Sequence, residues 1–227
     1  MSNYLIINIL IIIGPLIMSF ENNIRFYKKL PNIYFSVLFV STAYIIWDIF
    51  ATQRGDWAFN PQHLLGVYIF GLPVEEILFF ITVPYSSIFI YETVRFYFKD
   101  QQLGINKLLF VIPCIVSITA AFIFYSHNYT FTVFAFTAAF FICAILFYPS
   151  LLNSKNFWLT LLISFIPFFI VNYFLTSIPI VTYNDFAFSG KRFITIPYED
   201  FIYSFSMISL WILFYELSFK ILSRKKT

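Results

Sequence analysis

The stretch Leu72-Pro73-Val74-Glu75-Glu76-Ile77-Leu78-Phe79-Phe80 sets two adjacent carboxylates at the head of a long apolar segment ending in Tyr91-Glu92. A second copy, Ile196-Pro197-Tyr198-Glu199-Asp200-Phe201, heads a segment ending in Tyr215-Glu216. Pro73 and Pro197, Glu75 and Glu199, Glu76 and Asp200, and Glu92 and Glu216 are each 124 residues apart. A fixed offset of that kind is the mark of an internal repeat. Here the repeated unit carries charge into greasy surroundings, where charge is costly and is kept for a purpose.

The rest of the chain defines those surroundings. Of its 227 residues 60% are hydrophobic and 11% charged, against about 25% charged in soluble domains. With a mean hydropathy of +0.83 and long uncharged runs, the composition implies an all-α integral membrane protein. No basic patch points to nucleic acid. Cys114 and Cys143 lie in apolar runs and read as small buried hydrophobes. His63 and His127 stand alone, no Cys/His spacing resembles a metal site, and no dinucleotide or P-loop fingerprint is present. No metal or cofactor is therefore expected.

Seven spans fit the hydropathy, at about 4–20, 31–50, 73–97, 105–125, 129–148, 156–175 and 197–219. The first lacks the basic start and small-residue cleavage site of a signal peptide. Eleven basic residues, including Arg25, Lys28, Lys29, Arg95 and the tail Arg224-Lys225-Lys226, fall on one side of this topology; Arg54, Lys191 and Arg192 fall on the other. The positive-inside rule then puts the N-terminus outside and the C-terminus in the cytoplasm, in a multi-pass protein of the cell membrane. The loops bearing Asp56 and Asn184 are expected outside. Spans three and seven run the same way, so the chain reads as two parallel three-helix repeats, 1–100 and 129–227, joined by a connector helix in 101–128.

Pro73 suits a first helical position, with Glu75 and Glu76 in the first turn at the positive end of the helix dipole. Pro84 is expected to kink the helix, with Thr82, Ser86 and Ser87 satisfying freed carbonyls. At 100° per residue Thr82, Ser86 and Thr93 continue the Glu75 direction, so Glu75 heads a polar stripe that should face protein. Asp48, near the end of span two, is matched 124 residues on by Asn172, near the end of span six. Asp48, Glu75, Glu76, Asn172, Glu199 and Asp200 should share one depth and one cleft. Acids in a first turn are also ordinary helix caps, and that reading competes for any single residue. Glu92 and Glu216 lie farther along their helices and read as anchors near the other face. Clustered, buried carboxyl groups can hold one member neutral as an acid beside an ionised neighbour as a base. That is proton-transfer chemistry, suited to isomerising an alkene dissolved in the bilayer, with aromatic faces available to a carbocation.

These segments resemble the two small subunits of the heterodimeric-type lycopene cyclases, here in fused form. The stretch from Leu72 to Glu92 is similar to the first subunit; Ile178-Pro179-Ile180-Val181-Thr182-Tyr183, Gly190-Lys191-Arg192-Phe193 and Ile196 to Phe201 are similar to the second. The resemblance implies a lycopene β-cyclase that converts lycopene through γ-carotene to β-carotene without net redox change or cofactor. It carries the catalytic motifs to Glu75, Glu76, Glu199 and Asp200, behind Pro73 and Pro197. Asp48 and Asn172 are supporting candidates, and Phe79, Phe80, Phe201 and Tyr203 candidate substrate-lining residues. Glu75 and Glu199 are expected to be indispensable. Two other readings compete. A retinal photoreceptor needs a lysine midway along the last helix, where only Lys220 at its end is available. A proton-coupled transporter or channel would need polar faces on more spans. The oligomeric state is not legible from the sequence.

Overall fold

The computed structural model describes residues 2–224. The basic residues Lys225 and Lys226 lie outside them. Seven apolar helices lead the description: α1 Asn3–Met18, α2 Phe26–Arg54, α3 Val74–Tyr97, α4 Lys107–Ile123, α5 Asn128–Phe147, α6 Lys155–Ser177 and α7 Tyr198–Arg224. Five of them, α2, α3, α5, α6 and α7, are long and apolar enough to cross a bilayer. The other two are shorter: α1 has 16 residues, below the ~20 that a span normally needs.

The helix ends follow from local chemistry. Ser2 and Ser154 cap α1 and α6 by accepting from Leu5 N and Phe157 N, which satisfies a backbone donor that has no partner within the helix. Gly55 ends α2 at φ 78°, the left-handed conformation that glycine adopts freely. The sequence pattern puts Pro73 at the first helical position, but Pro73 and Pro197 both stand just before their helices. They close the two-residue strands β3 Leu72–Pro73 and β6 Ile196–Pro197. Proline tolerates that place because its φ suits extended backbone and it has no N–H to leave unpaired. The first helical N–H groups are met by loop carbonyls instead, Val74 N by Val67 O at 2.9 Å and Tyr198 N by Lys191 O at 3.1 Å.

That last pair obeys the 124-residue offset at donor and acceptor alike, and the other loop elements do too. Strand β1 Trp57–Phe59 pairs antiparallel with β4 Val181–Tyr183, with Ala58 opposite Thr182, its own counterpart. Asn60 N bonds Ile180 O and Asn184 N bonds Asp56 O, each at 2.9 Å. Strands β2 Tyr68–Ile69 and β5 Arg192–Phe193 form hairpins with β3 and β6 in matching register. Gly66 and Gly190 both sit at positive φ, as do Phe70 and Ile194 at the hairpin tips. Both tips are exposed, Phe70 at 80%, which fits loops that rest against the bilayer interface. A strand paired with its own counterpart, centred on Ala58 and Thr182, marks a local two-fold axis.

Packing crosses the two halves. Helix α3 leans on α1 and on α6, while α7 leans on α5 and on α2; α4 packs on α5. The second helix of each half thus buttresses the third helix of the other. Between helices in lipid the hydrophobic effect gives little, and close packing with interhelical hydrogen bonds holds them together. Thr82 Oγ1 donates to Asn8 Oδ1 at 2.8 Å and Ser86 Oγ to Ile11 O at 2.9 Å, tying α3 to α1. The polar stripe therefore faces protein as its spacing predicts, but Thr82 and Ser86 serve the neighbouring helix rather than carbonyls freed by Pro84. On the other side Ser36 donates to Trp211 O at 2.7 Å and Trp211 Nε1 to Ser41 at 3.0 Å, tying α2 to α7.

At the far end the second matched pair is clamped. Arg95 Nη1 reaches Glu216 Oε1 at 2.7 Å and Glu92 Oε1 at 3.1 Å, while Lys29 pairs with Glu92. Tyr215 donates to Glu92 at 2.8 Å. Glu92 and Glu216 are thus the anchors that the sequence predicts, locking α3, α7 and the start of α2 together.

Candidate active site

Each acid pair opens its helix directly after a hairpin, so its two members point to different surroundings. Glu75 turns toward the loop and α1. Its Oε1 accepts from Leu65 N at 2.6 Å and Ser2 Oγ at 2.7 Å. Glu199 does the same in the second half, accepting from Ser189 N at 2.8 Å and Thr130 Oγ1 at 2.7 Å. Leu65 and Ser189 are again 124 residues apart. Both carboxylates are buried, and neither lines the cavity described next.

Their neighbours Glu76 and Asp200 do line it. It is a cavity of about 480 Å³ between α1, α3, α6 and α7. Glu76 Oε2 accepts from Tyr4 at 2.5 Å and lies in electrostatic contact with Asp48. Asp48 Oδ1 accepts from Trp57 Nε1 at 2.9 Å and Thr52 Oγ1 at 3.3 Å, leaving Oδ2 buried without a hydrogen-bond partner. Asp200 receives two phenols, Tyr129 at 2.5 Å and Tyr183 at 3.0 Å. Burial and the adjacent Asp200 carboxylate push the Tyr183 phenol well above its usual range, so it stays protonated and remains a donor.

Of the twelve residues singled out from the sequence, Glu76, Asp200, Asp48, Asn172, Phe79 and Tyr203 meet in this cavity. Glu75, Glu199, Pro73, Pro197, Phe80 and Phe201 do not line it. Phe80 is buried against Tyr44 on the far side of α3, and Phe201 packs with Phe165 and Phe168. Successive helical residues are separated by about 100°, which here turns Glu75 and Glu199 away while Glu76 and Asp200 face the cavity. Pattern reading missed Tyr4, Tyr129, Tyr183 and Trp57, the donors that hold the acids. Tyr4 and Tyr129 stand in corresponding first turns of α1 and α5, and the 124-residue offset relates Trp57 to Val181 and Phe59 to Tyr183. Those were the available signals.

The cavity wall is otherwise apolar and aromatic, with Trp47, Trp57, Phe59, Phe79 and Tyr203 around the acids. Such a chamber suits a hydrocarbon, and its ring faces can stabilise a cation. Fold and site together define a mostly helical membrane protein with carboxyl groups converging from two matched motifs on one apolar chamber. The lycopene cyclase family model matches residues 2–94 and again 126–218, which together make up most of the chain. This chain belongs to the lycopene cyclase family. A curated relative, the bifunctional lycopene cyclase/phytoene synthase of Neurospora crassa, is 30% identical over 57 residues, 25% of this chain and 10% of that protein. The matched stretch thus spans a tenth of that relative's length. No solved structure matches the chain.

Proposed function

We propose that this chain is a lycopene β-cyclase that closes ψ-ends of lycopene to β-rings, through γ-carotene to β-carotene, by acid–base chemistry alone. The observation that carries the reading is the meeting of Glu76 and Asp48 with Asp200 in one apolar cavity. Two buried carboxyl groups side by side favour one neutral member, because two adjacent charges away from water repel too strongly. Glu76, paired with Asp48, is therefore assigned as the acid. Asp200, held by two phenol donors, is assigned as the carboxylate base, since hydrogen bonds to the charged form favour it.

In this scheme Glu76 delivers its proton to C2 of the ψ-end and the C1 cation forms. The C5–C6 alkene closes onto C1, moving the charge to C5, and Asp200 takes the proton from C6 to leave the ring alkene. One proton is gained and one lost, so no electron acceptor is consumed. Trp47, Phe79 and Tyr203 offer ring faces to the cation. Glu75 and Glu199 hold the hairpins that aim their neighbours. The residue substitution Asn172 for the Asp48 counterpart gives the site only one carboxyl pair. A proton-coupled transporter is disfavoured because the rest of the cavity wall is largely apolar, so no polar path leads on from the acids.

The test is pigment analysis in a host that accumulates lycopene. Expression of this chain should yield γ-carotene and β-carotene; unchanged lycopene, with the protein inserted and abundant, would contradict the reading. We further propose seven crossings in two parallel three-helix repeats, with the N-terminus outside. The 124-residue correspondences and the eleven-to-three basic asymmetry support it. Asp56 is buried and ion-paired to Arg54, so labels belong on exposed Gln62 and Phe186 in the same loops. Gln62→Cys and Phe186→Cys should react with an impermeant reagent in intact cells. Reaction only after permeabilisation would reverse the orientation.

A further inference from the structure

The two halves match around the acids but not along the cavity. Helix α1 contributes residues from Tyr4 to Pro15, and α6 from Ser164 to Leu175. Their counterparts contribute almost nothing: α5 offers Tyr129, and α2 offers Trp47 and Asp48. Both α1 and α6 pack on α3 rather than on each other, so a crevice runs between them. Its rim is apolar and open, with Leu10 at 68%, Ile170 at 51% and Phe174 at 45% exposure on faces that would meet lipid.

The corresponding crevice between α5 and α2 is filled. Tyr44 stacks on Phe136 with ring centroids 4.2 Å apart, and Trp47 packs edge-on to the same Phe136 at 5.8 Å. Tyr44 is fully buried and its hydroxyl is pinned by Ser206 at 3.0 Å. At the matching position to Trp47 on the open side stands Val171, too small to plug a gap.

Resting on the cyclase reading above, we infer that the hydrocarbon substrate enters from the bilayer, end first, through the crevice between α1 and α6, and through no second entrance. The open stretch from Tyr4 to Pro15 runs ~16 Å at a helical rise of about 1.5 Å per residue. A bilayer hydrocarbon core is ~30 Å thick, so a linear chain of that order has one end at the acids while its tail stays in lipid. One end group is processed per visit. The second end reaches Glu76 and Asp200 only after the first has withdrawn and the molecule has turned around. Leu10, Ile170 and Phe174 are thereby specificity-determining residues at the entrance, not catalytic ones.

The test uses the full chain in lipid vesicles preloaded with lycopene. Leu10→Trp with Ile170→Trp fills the rim, and Ile13→Trp with Ile166→Trp is the control on the same helices, at exposed positions outside the cavity. At limiting substrate the rim variant should lose about tenfold or more in turnover, since misplacing a reactant by about an ångström already costs that much; the control should stay within about twofold. Adding labelled lycopene to wild-type protein midway should also dilute the monocyclic pool before bicyclic product appears. Equal turnover of rim and control variants, or bicyclic product made without exchange of the monocyclic pool, would overturn the single entrance. Loss of activity in both pairs with normal insertion would also count against it, because the effect would not be specific to the rim. Failure of the unaltered protein to cyclise at all would instead overturn the functional reading on which the entrance rests.

Discussion

Glu76→Gln and Asp200→Asn should each reduce cyclisation by a factor of about 10²–10⁴, the range general acid–base groups contribute. Insertion and abundance should remain near normal. The amides keep volume, and their carbonyl oxygens can still accept from Tyr4 or from Tyr129 and Tyr183. What they lose is the capacity to give or take a proton. Glu75→Gln and Glu199→Gln should behave differently, because an amide oxygen can still receive Leu65 N or Ser189 N. Their turnover should fall only several-fold, through looser hairpins, as judged by the loss expected for one weakened hydrogen bond of about 1 kcal/mol. Initial-rate measurement of all four variants in vesicles separates the roles. Equal loss in all four would mean that the pairs act as units.

The second large effect is structural and lies at the other end of the molecule. Arg95→Ala should lower stability by about 2 kcal/mol, because a buried carboxylate stripped of its partner is costly. Glu216 is 7% exposed and would lose its ion pair with Arg95 while keeping neutral donors such as Tyr148 at 3.2 Å, whereas Glu92 retains Lys29 and Tyr215. The partial exposure of Arg95 itself tempers the figure. Thermal inactivation of the protein in detergent should start at lower temperature, with the rate of surviving molecules little changed. Arg95→Lys should restore part of the loss by pairing with one acid at a time, since lysine lacks the forked geometry that spans two. Unchanged thermal behaviour would leave the clamp without energetic weight.

Much of the architecture was legible because apolar runs and a 124-residue offset are linear features of the chain. Five long spans, the matched acids, the meeting of Asp48 and Asn172 in one cavity, and the anchoring role of Glu92 and Glu216 follow from them, whereas the first and fourth expected spans are shorter helices. The pattern is less informative about rotation and partners. The polar stripe below Glu75 faces protein as its spacing predicts, but the protein it meets is α1, and Glu76 takes the cavity. Phe80 and Phe201 follow their acids closely in sequence, yet the helical turn carries both away from the chamber. The exchange of second helices between the halves left no trace in hydropathy, since a lipid-facing and a helix-facing apolar surface read alike. The donor role of Tyr4, Tyr129 and Tyr183 is not legible because tyrosines are common at membrane borders; only their carboxylate partners give them that role.

Proton traffic between this site and the substrate is the core of the account, and heavy water reads it directly. Purified protein in lipid vesicles, given lycopene in D₂O with no nucleotide, flavin or oxidant, should form rings that carry one solvent-derived deuterium each, at C2. A ring formed without solvent label, or an absolute requirement for an added electron acceptor, would contradict the assignment of Glu76 and Asp200 as the acid and base of a redox-neutral cyclisation.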